Sequence, residues 1–303
     1  MPHLPVFSTI GQGMALFGLN IGKLMKWGII PTLLSLAALG AALGLGLLLQ
    51  PEEQGSVPWW WAGFIPAVFF SVLSWVPYGM RINQLAVTGR VEPGGYVGKM
   101  FTQAALWYFA YGLLVGLIQL AGMFISAVPV ILVLVGKGQG TGDYRVALAG
   151  LATVVLLLVF FIMTSPLQLI YAAASVEREP SLGKAYNLGA HCKVRLFFCV
   201  VLTGLLFGAL QQGVDWIAGS FGGRYSQDAR LLFAPVQVLV WFFSYVAATA
   251  VPAVAYRILS GLPDPRESAE GGQPLTVQEP APASPEPAPA PAEPAPGRTS
   301  DHG

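Results

Sequence analysis

Long runs of apolar residues separated by short polar stretches dominate the chain. Six windows stand out: 27–49, 59–78, 104–135, 146–171, 196–218 and 231–256. Each is at least 20 residues long, and together they contain a single formal charge, Asp215. About 20 apolar residues cross roughly 30 Å of hydrocarbon as a helix, and an open strand would leave backbone groups unpaired in lipid. The pattern therefore predicts an all-α polytopic membrane protein with six transmembrane helices. The third window is too long for one untilted crossing. It reads either as a hairpin or as a span over 104–128, ending near Pro129, with an interfacial extension.

Charge decides between these. With six spans and both termini inside, eleven Lys and Arg residues fall in the inner segments and four in the outer ones. A hairpin in the third window would move the four basic residues Arg178, Lys184, Lys193 and Arg195 outside and break the positive-inside bias. The expected topology is N-in and C-in, in a bacterial inner (cytoplasmic) membrane. The first apolar run exceeds a signal-peptide core and reads as an uncleaved anchor. A net charge of +1 gives no field to recruit nucleic acid.

The polar stretches have a pattern of their own. Residues 1–26 form a cytoplasmic amphipathic segment in which Phe7, Ile10, Met14, Phe17, Ile21, Leu24 and Met25 recur at helical spacing. The stretch "VEREPSLGKAYNLGAHCKVRLFF" (176–198) concentrates six charges in a chain that is 10% charged. Its Leu182, Ala185, Tyr186, Gly189 and Cys192 mark one helical face, and Ser181 is a candidate N-cap. It reads as an amphipathic elbow bending into the fifth span. The odd-numbered spans each follow such an approach, and each carries a Gly-x-x-x-Gly pair: Gly40 and Gly44, Gly112 and Gly116, Gly204 and Gly208. The reading is a membrane domain over 27–259 made of three helical hairpins with amphipathic elbows. The glycine pairs permit close helix packing, within the chain or in a homo-oligomer.

From Pro263 onward the composition changes. Eleven of the residues in 263–303 are proline and almost none is large and apolar, so this segment cannot build a core. It is expected to be a disordered Pro/Ala-rich cytoplasmic tail. Its Pro282–Pro285 spacing suits an aromatic groove on a membrane or cytoplasmic protein partner, although a plain spacer has the same composition.

Candidate chemistry is sparse. Gln119, Gln168, Gln211, Gln212 and Gln237 place amides in four spans, and Asp215 places an acid near the outer end of the fifth. They form either interhelical hydrogen bonds or a polar path. Asp215 could pair with Arg224 or Arg230. His191, Cys192 and Cys199 are too few for a zinc site, and "GKGQGTG" (136–142) lacks the context of a phosphate loop. No nucleophile–base pair or paired carboxylates share a depth, so no catalytic residue, metal or cofactor is expected.

The segments "MRINQLAVTGRVEPGGYVGKMFTQAALWYFAYG" (80–112) and 176–198 through "VVLTGLLFGAL" (200–210) resemble uncharacterised bacterial six-helix inner-membrane proteins, including those similar to the membrane domain of glycerophosphoryl diester phosphodiesterases. The resemblance covers about a third of the chain. It implies an elbow-and-span membrane domain, and it carries no catalytic motif. The function expected is a non-enzymatic structural or accessory membrane component. The alternative is a small-solute transporter or channel along the intramembrane Gln residues.

Overall fold

The computed structural model describes residues 4–48, 60–135, 143–177, 179–221 and 226–265. All regular structure among them is helical. The helices are α1 (Val6–Leu48), α2 (Trp60–Thr88), α3 (Tyr96–Met100), α4 (Gln103–Val135), α5 (Asp143–Thr164), α6 (Leu169–Val176), α7 (Leu182–Gly189), α8 (Lys193–Phe221) and α9 (Ser226–Leu259). Six stretches are long and apolar enough to cross a membrane: Val6–Leu45, Gly63–Thr88, Gln103–Val133, Tyr144–Val176, Leu182–Ser220 and Phe233–Leu259. The chain is thus a multi-pass membrane protein by length and composition. One end of the bundle gathers Lys23, Lys26, Arg81, Lys99, Lys193, Arg195 and Arg257 and is called the basic end below; the other is the far end.

The helix breaks have local causes. Asn20 leaves helical geometry (φ −119°, ψ 16°), and its side-chain amide donates to the Leu16 carbonyl at 3.0 Å. α2 ends at Gly89, whose φ of +69° is the left-handed conformation glycine adopts at a helix C-terminus. Pro166 cannot donate to the ladder, and the chain passes through a 3₁₀ turn, Ser165–Gln168, before α6 resumes. The Ser165 hydroxyl there donates to the Lys193 carbonyl at 2.9 Å, tying the turn to the start of α8. α9 ends at Gly261 (φ +69°), where Leu262 N–H bonds the Arg257 carbonyl at 3.1 Å.

The packed core lies at the basic end. It is made from the last turn of α2, from α6 and from the C-terminal part of α9, where Ala86, Val87, Leu169, Ile170, Ala173, Val251 and Ala255 are buried. The alanines let these three segments approach closely. α1 crosses α9 with Gly13 facing Val251; a Cβ on Gly13 would lie 2.8 Å from the valine methyl. Along the sides, α1 packs chiefly on α2, α4 on α5 and α8 on α9.

Several expected boundaries shift. The amphipathic segment 1–26 does not end at the span: α1 runs through it and bends at Asn20. Of its expected apolar face, Leu24 is buried and Ile10, Phe17 and Met25 pack half-buried against the core, whereas Phe7 and Ile21 are exposed and Thr9 and Gly13 are buried instead. The second helix continues past Tyr78 to Thr88: Gly79 stays helical, and the left-handed stop comes only at Gly89. The third runs unbroken through Pro129 to Val135, rather than stopping at 128. The fourth is interrupted at Ser165–Gln168. The elbow α7 follows the expected wheel: Ala185 and Gly189 are buried, while Lys184, Asn187, His191 and Arg195 are exposed. Ser181 occupies the N-cap position but makes no side-chain capping bond. The start of the tail is held to the bundle: Asp264 pairs with Arg257 at 3.2 Å and Pro265 lies over Gly89. The rest of 263–303 falls outside the described residues, as do Trp59, "GKGQGTG" (136–142), Arg178 and the Arg224 loop.

Candidate functional site

A layer of buried polar side chains crosses the basic end. α2 supplies three of them within one turn: Arg81 toward α1 and α3, Asn83 toward α4 and α6, and Gln84 toward α6. Arg81 is 8% exposed. Its guanidinium carbon lies 5.6 Å from the Trp27 ring of α1 and 5.2 Å from the Tyr96 ring of α3, within cation–π range. Its Nη2 donates to the Gly94 carbonyl at 3.2 Å. Asn83 donates to the Tyr108 hydroxyl at 3.1 Å and to the Tyr171 carbonyl at 3.4 Å, joining α2 to α4 and α6. Gln84 donates to the Ser175 carbonyl at 3.0 Å.

α9 supplies the other side of the layer. Arg257, 5% exposed, donates to the Ala86 carbonyl at 3.2 Å, to Gln12 Oε1 at 2.6 Å and to Asp264 at 3.2 Å. One side chain thereby ties α1, α2 and the start of the tail. The neighbouring Tyr256 hydroxyl donates to Glu177. The Tyr96 hydroxyl, outside the spans, donates to the Ser74 carbonyl at 2.7 Å. Burial first, and then Tyr245 nearby, push its pKa up, while Arg81 pulls it down. It remains a hydrogen-bond donor across the physiological range.

Two clefts flank the end of α2. One, about 220 Å³, is lined by Gln12, Asn20, Lys23, Arg257 and Asp264 around the bend of α1. The other, about 250 Å³, is lined by Gln84, Glu92, Gln103, Trp107 and Glu177. Among the described residues no group of three His, Cys, Asp or Glu could hold a metal. Cys199 is buried, with its thiol toward the Val6 carbonyl at 4.0 Å, and His191 is exposed.

The residues singled out from sequence fall elsewhere. Gln237 donates to Asp215 at 2.6 Å and Gln211 to the same oxygen at 3.4 Å, bridging α8 and α9 toward the far end. Gln212 is exposed. Gln119 and Gln168 make no side-chain hydrogen bond among the described residues and lie on α4 and in the 3₁₀ turn. The six therefore form one triad and three separate positions. The glycine pairs are also mostly open: a Cβ on Gly40, Gly44, Gly116, Gly204 or Gly208 would meet nothing within 4 Å, and on Gly112 only Tyr171 at 3.6 Å. Close approach occurs instead at Gly28 against Phe242, Gly79 against the Tyr108 hydroxyl and Gly122 against Phe160.

The buried layer was missed because Arg81, Asn83 and Gln84 read as loop polarity after an apolar run. The available signal was the unbroken helical stretch from Tyr78 to Gly89. Compared with known proteins, the chain matches no family model, no curated protein and no solved structure.

Proposed function

We propose that this chain is a non-enzymatic accessory component of a bacterial cytoplasmic membrane. It sits N-in and C-in with the basic end at the cytoplasmic face. Its six spans form three hairpins, each entered through an elbow. The observation that carries this reading is the use made of the buried polar groups. Asn83, Gln84, Tyr256 and Arg257 each bond another segment of the chain, so among the described residues the layer's polar groups are spent on holding helices together. The breaks at Asn20, between α3 and α4, and at Ala190–Cys192 support the three-elbow pattern. So does the resemblance to the phosphodiesterase-like membrane domains. The tail beyond Pro265 is the segment assigned to recruiting a protein partner. A solute path along the Gln residues would need Gln119 and Gln168 to join the Asp215 triad, and their separate positions favour the accessory reading.

Single-cysteine accessibility in intact cells tests the topology, in a Cys192→Ser, Cys199→Ser background. Probes at Glu52, Gly138 and Ser226 are expected to label from outside, and those at Arg178 and Ser284 only after permeabilisation. External labelling at Arg178 overturns the orientation. Flux that is lost on Gln119→Leu and Gln168→Leu, in protein of unchanged stability, overturns the accessory reading in favour of transport.

A further inference from the structure

A buried cation in or near a bilayer is costly unless an anion or a full set of acceptors compensates it. Arg257 meets this requirement through Asp264. Arg81 does not. It is as deeply buried, yet among the described residues no carboxylate pairs with it. Its Nε is buried without any hydrogen-bond partner. The covering segment between α2 and α3 contains one acid, Glu92, and that carboxylate turns away to Lys99 at 3.6 Å with its side chain 74% exposed. Lys99 Nζ also donates to the Glu92 carbonyl at 2.6 Å, which fixes the acid in that direction.

The surroundings indicate what completes the site. Trp27 and Tyr96 flank the guanidinium, Gly94 O takes one proton of Nη2, and the Nε–H is left for an acceptor. Arginine offers Nε–H and an Nη–H as a planar fork that matches two oxygens of a phosphate. The backbones of α1 and α3 do not pack closely, and their meeting line is bridged by side chains, Trp27 and Leu24 against Tyr96, with the guanidinium beneath it. Lys26, next to Trp27 in sequence, is exposed on α1, while Lys23, one turn earlier, lines the cleft with Arg257. Tryptophan and tyrosine at a helix end, with lysines beside them, are residues suited to the headgroup layer.

We propose that Arg81, walled by Trp27 and Tyr96 and assisted by Lys26, binds the headgroup phosphate of an anionic glycerophospholipid. A net negative headgroup supplies the missing counter-charge; a choline headgroup carries its own cation, which Lys26 repels. The inference rests on the basic end lying at a headgroup layer and is independent of which leaflet that is.

The test uses the full chain in phosphatidylcholine nanodiscs with increasing phosphatidylglycerol. The readouts are the thermal midpoint and, after mild extraction, the lipids retained in native mass spectrometry. Wild type is expected to gain thermal stability with phosphatidylglycerol and to retain one molecule of it. Arg81→Gln is expected to lose about tenfold in that selectivity, the loss of one charge-assisted pairing. Lys26→Gln, an exposed change that leaves the fold intact, is expected to lose two- to threefold, about the worth of one basic residue near a surface or somewhat less. It carries the test if Arg81→Gln does not fold. Unchanged selectivity in Lys26→Gln together with either unchanged selectivity or no folding in Arg81→Gln overturns the inference. So does stabilisation by inorganic phosphate equal to that by the lipid, which would mean a free-anion site. A chain that enters nanodiscs but shows no lipid selectivity leaves the membrane reading standing; one that fails to enter overturns both.

Discussion

At the basic end, helix termini meet in a dense mixture of alanines, rings and satisfied amides; at the far end, the same helices stand nearly bare. Ile82, Leu169 and Ala255 are fully enclosed. In the outward half of α4, by contrast, Phe124 and Ile125 are 65% and 67% exposed, and most of α5 is exposed as well. Both regions are apolar, so hydrophobicity does not separate them. In lipid, apolar surface gains little by leaving the tails, and association depends on packing and on hydrogen bonds. The buried polar groups sit where the helices are held together. Among the described residues, the link toward the far end is the Asp215–Gln237 bond.

This contrast can be broken by mutation, and the largest effect is expected at Arg257. Arg257→Met removes ties to Gln12, Ala86 and Asp264 together. It should cost about 3 kcal/mol, the range for breaking a buried charged pair, read as a lowered midpoint in denaturing-detergent titration. Next comes Asn83→Leu, which strands the Tyr108 hydroxyl and the Tyr171 carbonyl; about 2 kcal/mol is expected in the same titration. Gly79→Ala puts a methyl 2.6 Å from the Tyr108 hydroxyl and should cost roughly 1–2 kcal/mol through overpacking. A thermal-shift series with Gly79→Ser would show the same direction.

The far end should respond weakly. Asp215→Leu removes the α8–α9 bond and is expected to cost about 0.6 kcal/mol, the average for an intramembrane hydrogen bond. Gly204→Ala, where a Cβ meets nothing, should leave the monomer unchanged or slightly more stable. A clear loss of stability at Gly204, accompanied by a change in mass by light scattering, would place a second copy on that open face and reverse the comparison.

The six spans were legible because a charge-free run of 20 residues has few other uses. The α7 elbow was legible because its charges alternate with a small-residue face that the core buries. The polar layer was hidden by the same logic. A window method ends a span where polarity begins, so Arg81, Asn83 and Gln84 were placed in a loop although the helix simply continues. The amides inside the windows attracted attention, yet spacing along one helix says nothing about which neighbour an amide meets. Glycine spacing misled in a similar way, since the close approaches at Gly28, Gly79 and Gly122 are to ring side chains and depend on residues far away in sequence.

The contact between Gln12 and Arg257 spans 245 positions of the chain. At a synthesis rate of ~5–20 residues per second, α1 waits about 10–50 s in the membrane before its partner on α9 exists. During that interval Gly13 lacks the Val251 surface it seats against. Assembly therefore finishes from its two ends inward in sequence, with the last helix made closing over the first. A chain stalled or cut just before Arg257 would carry five spans and nearly all of the sixth, and still lack the clasp that joins its beginning to its end.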